Sequence, residues 1–424
     1  MSRIIRRRWI TDFSAPSRRD NRSCEYEAYV PDLLAARRIT LDGDVAADIA
    51  DAEAAIARLN AQATSLVDTE ALARILLRAE SVASSKIEGL QVGARRLLRA
   101  EAARELGEPS RDITATEVLA NIEAMVFAVR NVGSGDTLTV DFLLNVHRRL
   151  LAGSRIEDHG GRFREVQNWI GGSDYHPCDA AFVPPPPEFV GELVDDLIAF
   201  CNDESLPAVA QAAIAHAQFE TIHPFIDGNG RTGRALVHVI LRKRGLAPRV
   251  LAPVSLILAT WAKDYIGGLV ATRYRGPAGS RAANEGMNLW IGRFAGACKR
   301  AVDDASSFEQ RTFAIDAEWR ERLGAVRARS APDLLLRALP GAPILTVNSA
   351  AKLIGRSFVQ TNEAVTRLVR ARILKQVTVG PRNRAFEAPE IIKAFTDLER
   401  RLASPEGDTR VSPPARMVPP RNLT

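Results

Sequence analysis

The chain has 424 residues, of which 46% are hydrophobic and 25% charged, with a net charge of +6 at pH 7. That length predicts two or three domains, and the composition excludes global disorder. The mild positive charge suits phosphate-bearing partners without establishing nucleic-acid binding.

The first 30 residues, rich in Arg, Ser and Asp, read as an extended N-terminal arm. The opening MSRIIRRRW is basic, but no apolar core of a secretory signal follows it, so a cytoplasmic location is expected. Residues 31–110 form a helical segment: from 44 to about 106 apolar residues recur at helical spacing, enough for two or three helices.

Residues 111–330 read as the next unit. Helical patterns cover 112–132 and 139–152, the second opened by Thr139 as N-cap. Residues 160–187 differ. Phe163, Val166, Trp169 and Ile170, then Gly171-Gly172, Phe182-Val183 and four prolines, suit a short β-hairpin flap. Helices resume at 188–202, 207–222 and 230–244. The longest apolar stretch, 250–262, contains Pro253 and falls short of the roughly 20 residues of a membrane span, so no membrane contact is expected.

Residues 331–402 read as helix (349–354), helix (359–372) and a β-wing (374–386), a winged helix with twelve Lys or Arg against six Asp or Glu. DNA, a docked protein and a solvated basic face all remain open for it. Residues 403–424 are rich in Pro, Arg and Ser, which predicts a disordered tail. The four cysteines, Cys24, Cys178, Cys201 and Cys298, form no C-x-x-C pair and are expected to be reduced structural thiols.

The chemistry concentrates in His223-Pro224-Phe225-Ile226-Asp227-Gly228-Asn229-Gly230-Arg231-Thr232-Gly233-Arg234, between two predicted helices. Three glycines around Asn229 permit positive φ, so that successive N–H groups can converge on an anion. The next helix adds its unpaired N–H groups and positive dipole end. Arg231 and Arg234, three residues apart on that helix, can engage neighbouring phosphates. Asp227 offers a hard oxygen for a nucleotide-bound Mg²⁺. A neutral His223 can take a proton from an attacking hydroxyl. Phe225 reads as the loop's anchor. An EF-hand is disfavoured because the later acidic ligands are missing. His216, seven residues before His223, lacks a third ligand at metal spacing and reads as structural.

This segment resembles the signature of the Fic family, H-x-F-x-[DE]-G-N-G-R-x-x-R, with every fixed position met. The resemblance implies a mainly α fold: a Fic helical core with a β-hairpin flap, an N-terminal helical segment and a C-terminal winged helix. It implies a protein adenylyltransferase that moves AMP from ATP to a Ser, Thr or Tyr hydroxyl. His223 would be the base and Asp227 the Mg²⁺ ligand. Gly228, Asn229, Gly230, Arg231, Thr232, Gly233 and Arg234 would bind ATP. The target protein would dock by main-chain pairing on the flap, at about 163–186. Self-modification and a homodimer are further expectations.

Upstream, Ser84-Ser85-Lys86-Ile87-Glu88-Gly89 is similar to the family's inhibitory motif [ST]-x-x-x-E-[GN], with Ser84, Glu88 and Gly89 in register. In autoinhibited members that glutamate pairs with the second signature arginine, here Arg234. Related proteins with similar signatures transfer phosphate, phosphocholine or UMP, or remove AMP. A nucleotide-sensing DNA-binding regulator and an inactive nucleotide-binding scaffold are the competing readings.

Overall fold

The structure is a computed structural model that describes every residue except 12, 14, 19, 36, 63–68, 106, 108–111, 380–382 and 403–424. The expected disordered tail lies outside the described residues. The fold is mainly helical. In chain order it begins with β1 (Arg3–Trp9), β2 (Cys24–Val30), α1 (Gly43–Gln62), α2 (Thr69–Ile87), α3 (Ala94–Glu105), α4 (Ile113–Arg130) and α5 (Val140–Leu150). There follow α6 (Val190–Asn202), α7 (Ala208–Ile222), α8 (Asn229–Lys243), α9 (Val254–Thr260), α10 (Ala262–Ala271) and α11 (Arg281–Leu323). The chain ends in α12 (Ala331–Ala338), β3 (Ile344–Leu345), α13 (Val347–Ile354), α14 (Phe358–Arg370), β4 (Lys375–Val379), β5 (Asn383–Glu387) and α15 (Pro389–Leu402). Among the described residues no single helix is long and apolar enough to cross a membrane.

Two compact units emerge, interleaved along the chain. The first comprises Met1–Ala61, Leu119–Leu251 and Lys263–Lys299; the second Gln62–Val118, Ala252–Ala262 and Arg300–Thr424.

The first unit is organised on α7, whose fifteen residues are all buried. A helix buried on every side, its polar residues Gln211, His216, Gln218, Glu220 and Thr221 included, has no solvent face and lies at the centre of its core. α6 and α8 pack against it. From α11, the fully buried Trp290 donates its indole N–H to the Ala213 carbonyl of α7 at 2.7 Å. Gly268 makes room for that ring, since a Cβ there would lie 2.5 Å from Trp290 Cε3. Thr139 caps α5 as expected, accepting from Phe142 N–H at 3.1 Å.

Two expectations need correction here. Residues 1–30 are no loose arm: β1 and β2 pair antiparallel, from Arg3↔Val30 to Trp9↔Cys24. β1 reads poorly because RIIRRRW puts three arginines in a row, breaking the alternation that announces a strand. Nor are all four cysteines reduced: Cys24 and Cys178 form a disulfide, while Cys201 and Cys298 are buried thiols outside any disulfide. The partners are 154 residues apart in sequence, so no spacing motif announces them.

In the second unit α2 packs on α9. The buried Glu80 carboxylate accepts from Ser255 N–H at 2.8 Å and from the Ser255 hydroxyl, satisfying the first turn of α9. Leu98, Ala102, Ile344, Ala385 and Ile392 form a core cluster beneath a three-stranded sheet of order β3-β5-β4. α12, α13 and α14 pack on one another. α13 and α14 each open with a capping box, Thr346 with Ser349 and Ser357 with Gln360.

Trp290→Ala removes a fully buried ring and its bond to the Ala213 carbonyl, a loss of about 3–5 kcal/mol. The expected outcome is a lower Tm, by calorimetry, and a unit 1 transition that separates from the rest; an unchanged melt would contradict the packing described.

Candidate active site

The signature segment comprises the link between α7 and α8, residues 223–228, and the first six residues of α8. α7 ends on His223, which takes the left-handed conformation (φ 50°, ψ 59°) while its N–H still bonds to Phe219 O at 2.9 Å. A residue other than glycine pays some strain in this region, which persists only where surrounding contacts hold it. Those contacts are Arg164 Nε and Asn168 Nδ2, which donate to the His223 carbonyl at 2.9 and 3.2 Å. Arg164 also donates to the carbonyls of Ile222, Val166 and Pro185, and its own N–H to Pro224 O. Burial lowers the Arg164 pKa to about 10, so it stays a cation at neutral pH.

Below the turn, the Asn229 side chain closes the loop on itself. Its Oδ1 accepts from Phe225 N–H and its Nδ2 donates to Phe225 O, both at 2.8 Å. Phe225 is fully buried and stacks on His147 with centroids 3.6 Å apart. His147 Nδ1 accepts from Gly161 N–H at 3.0 Å, which leaves Nε2 to donate to Asp227 O at 3.0 Å. This ring is neutral: burial, the largest cause, pushes its pKa down to about 4.

Gly228, at φ 76°, caps α8, and a Cβ there would lie 2.8 Å from Leu150 Cδ2. The expected nest of three positive-φ glycines is thereby narrowed: Gly230 and Gly233 lie inside α8 in helical conformation. The first turn of α8, from Asn229, presents N–H groups that have no intrahelical acceptor. Gly233 serves close packing, because a Cβ there would meet Phe219 Cδ1 at 2.8 Å and Glu220 Oε1 at 2.9 Å.

Arg231 and Arg234 are both buried on α8. Arg231 reaches back to Asp227 Oδ2 at 3.4 Å, and Arg234 Nη1 approaches the Tyr265 hydroxyl at 3.5 Å. His216 is structural here: fully buried, it pairs with Tyr265 OH at 2.9 Å, and burial, then Arg234, push its pKa down to about 3. The hydroxyl of Thr232 is buried without a hydrogen-bond partner.

The Asp227 side chain is 55% exposed, and its Oδ1 accepts from Gly228 N–H at 2.6 Å. Among the described residues no group of three or more His, Cys, Asp or Glu could hold a metal ion. One accessible carboxylate does fit Mg²⁺, which is commonly held by one or two carboxylates, with phosphate oxygens and water completing its shell.

Ser84, Glu88 and Gly89 belong to the second unit. Ser84 is buried on α2; Glu88 lies just past the helix, exposed, and Gly89 closes the turn at φ 84°. The supporting residues His147, Arg164 and Asn168 were not singled out as site residues from sequence. Arg164 and Asn168 fall within the flap segment, and His147 carried no motif.

Holding His147 and His216 neutral stabilises the fold above about pH 6.5, and this contribution is lost as pH falls toward about 4 and 3, because the unfolded chain binds the protons first. His147→Phe removes one such group. Its urea-measured stability should depend on pH less steeply than wild type, by up to about 1.4 kcal/mol per pH unit between roughly pH 4 and 6.5; identical slopes would contradict the assignment.

A family model described as Fic/DOC family matches residues 137–241, and one described as Fic/DOC family N-terminal matches residues 46–130. Protein adenylyltransferase fic-1 of Caenorhabditis elegans is 35% identical over 137 residues, 32% of this chain and 25% of that protein. Protein adenylyltransferase Fic of Drosophila grimshawi is 38% identical over 117 residues, 27% of this chain and 22% of that protein. The match therefore spans about a quarter of those relatives' length. A Fic family protein from Desulfovibrio desulfuricans G20 shares the fold, with a TM-score of 0.51 at 22% identity over 83% of this chain and 98% of that one.

Proposed function

We propose, for a chain that carries a Fic/DOC domain behind a Fic/DOC N-terminal domain, that it transfers AMP from ATP to a Ser, Thr or Tyr hydroxyl of a target protein. The observation that carries the reading is the His223 turn: a histidine held at the end of α7, six residues before the N-terminus of α8. A general base and an anion cradle are thereby built on one short, rigid link.

In this reading the first turn of α8, with Arg231 and Arg234, holds the ATP phosphates. Asp227 would hold Mg²⁺, which supplies charge neutralisation to the polyphosphate when bound. The target hydroxyl attacks the α-phosphorus, its proton passes to the His223 imidazole, and pyrophosphate leaves. The N–H groups of α8 stabilise the charge on the phosphoryl oxygens. The target segment docks along the flap, self-labelling uses the same route, and the cytoplasm supplies the ATP.

Glu88 is the proposed brake, acting by pairing with Arg234. One local feature supports this. A carboxylate at the C-terminal end of α2 faces the negative end of the helix dipole, so its position is poor for helix stability and better explained by a cation elsewhere.

His223→Ala is expected to abolish labelling by α-radiolabelled ATP, a loss of at least about 10²-fold, while calorimetry still detects Mg²⁺-ATP uptake. Glu88→Gly should raise self-labelling. Retained labelling in His223→Ala, or equal labelling in wild type and Glu88→Gly, would overturn the respective role.

A second reading concerns residues 331–402, and a specific observation favours it. α13 and α14 meet at a turn closed by Gly355 (φ 62°), as in a winged helix. The start of α14 exposes Phe358 (53%) and Val359 (64%) just after exposed Lys352 and Arg356, while exposed Arg370 ends the helix and exposed Arg372 and Lys375 follow it. An exposed helix end with basic flanks fits the major groove of duplex DNA, where apolar side chains meet thymine methyls. Anisotropy of a fluorescein-labelled duplex should then rise on binding, weaken steeply between about 50 and 200 mM salt, and weaken further in Arg370→Ala. No binding at low salt would leave this face to protein contacts.

A further inference from the structure

We propose that the Cys24–Cys178 bond is a redox-controlled latch on the flap, so that docking of a target segment depends on the thiol state of these two cysteines. The inference rests on the reading of residues 163–186 as the docking element.

The flap is weakly held by itself. A single bridge, Ile170↔Phe182, closes it, and Gly171 and Gly172 follow at φ 74° and 81°. Its base is anchored: Tyr29 N–H of β2 donates to Val183 O at 3.0 Å, and the Arg273 guanidinium lies 3.6 Å from the Phe182 ring centroid. Its tip, the turn Pro177–Asp179, meets the N-terminal hairpin instead. There Arg22 pairs with Asp179 at 3.2 Å, both side chains 56% exposed, and Ser173 donates to Asp20 at 3.4 Å. Exposed ion pairs and long hydrogen bonds hold little. His176 and Pro177 are also buried there, and the covalent tie from Cys24, the first residue of β2, to Cys178 is the strongest single bond on the tip.

The four cysteines divide accordingly. Cys24 and Cys178 are partly exposed, within reach of a small dithiol. Cys201 and Cys298 are fully buried, and burial pushes the Cys201 thiol up to about 12. A reductant thus acts on one bond. A thiolate of the dithiol attacks one sulfur of the pair and releases the other cysteine as a thiol; the second thiol of the reductant resolves the mixed disulfide. Two electrons pass to the protein, Cys24 and Cys178 become thiols, and the reductant leaves as its own disulfide.

Oxidised, the tip is fixed and a target segment meets a preorganised edge. Reduced, the Gly171-Gly172 pair frees residues 171–181, and docking must first order them. ATP binding is insulated, because Arg164 and Asn168 pin the His223 turn from the other side of that glycine pair.

The test uses the full chain with Glu88→Gly, air-oxidised or treated with dithiothreitol. Iodoacetamide under denaturing conditions should add two groups to the oxidised protein and four after reduction. Hydrogen–deuterium exchange in residues 168–184 should rise several-fold on reduction, and equally in the double variant Cys24→Ser, Cys178→Ser. Labelling of a desalted lysate should fall several-fold while calorimetric ATP affinity holds. Four alkylated cysteines in the oxidised protein, or exchange indifferent to reduction, would overturn the latch. Labelling absent in both states, with the exchange difference intact, would overturn the transfer reading and leave the latch standing.

Discussion

The buried guanidinium of Arg164 is the constraint on which the site depends. It donates to the carbonyls of Ile222 and His223 at the end of α7, where helix geometry leaves carbonyl groups without intrahelical partners, and to those of Val166 and Pro185 on the flap side. Burying a cation is costly unless dipoles replace its water. Here backbone carbonyls replace it, and the same bonds hold His223 in a conformation that a free chain avoids. Loss of this one side chain would release both the strain at His223 and the base of the flap.

The second constraint is steric. α7 and α8 are joined by so short a link that their first and last turns must nearly touch, and Gly233 permits it where any Cβ would strike Phe219 and Glu220. Close approach brings the N-terminus of α8 to the end of α7, so a helix dipole and a histidine share one small volume. The chemistry thus follows from packing. The signature glycines are there for the contact between helices as much as for backbone freedom, and Gly228 alone of the three supplies a positive φ.

Much of this was legible in the sequence. The helices α5 to α8 followed from periodicity and caps, and the twelve-residue signature, six residues of link and the first six of α8, was recognisable because its residue types have so few alternative uses. His147, Arg164 and Asn168 were not, because they act through backbone atoms: a side chain that bonds a carbonyl leaves no partner residue type to search for. The division of labour among the three glycines was equally hidden, since positive φ and close helix contact select the same residue.

The N-terminal hairpin shows the other limit. β1 and β2 are joined by a long connection, and β1 reads poorly because it has three consecutive arginines, although β2 alternates Glu with Tyr and Ala as a strand does. What stabilises them is contact made elsewhere. Trp9 packs edge-on against Trp169 with centroids 5.3 Å apart, Arg7 pairs with Glu188, and Arg3 lies over the Phe189 ring. A two-stranded ribbon is marginal alone, so this one persists because the flap and the start of α6 complete it. The dependence runs both ways: the element that would receive a target is itself shaped by the first thirty residues of the chain, and a change in either is felt in the other.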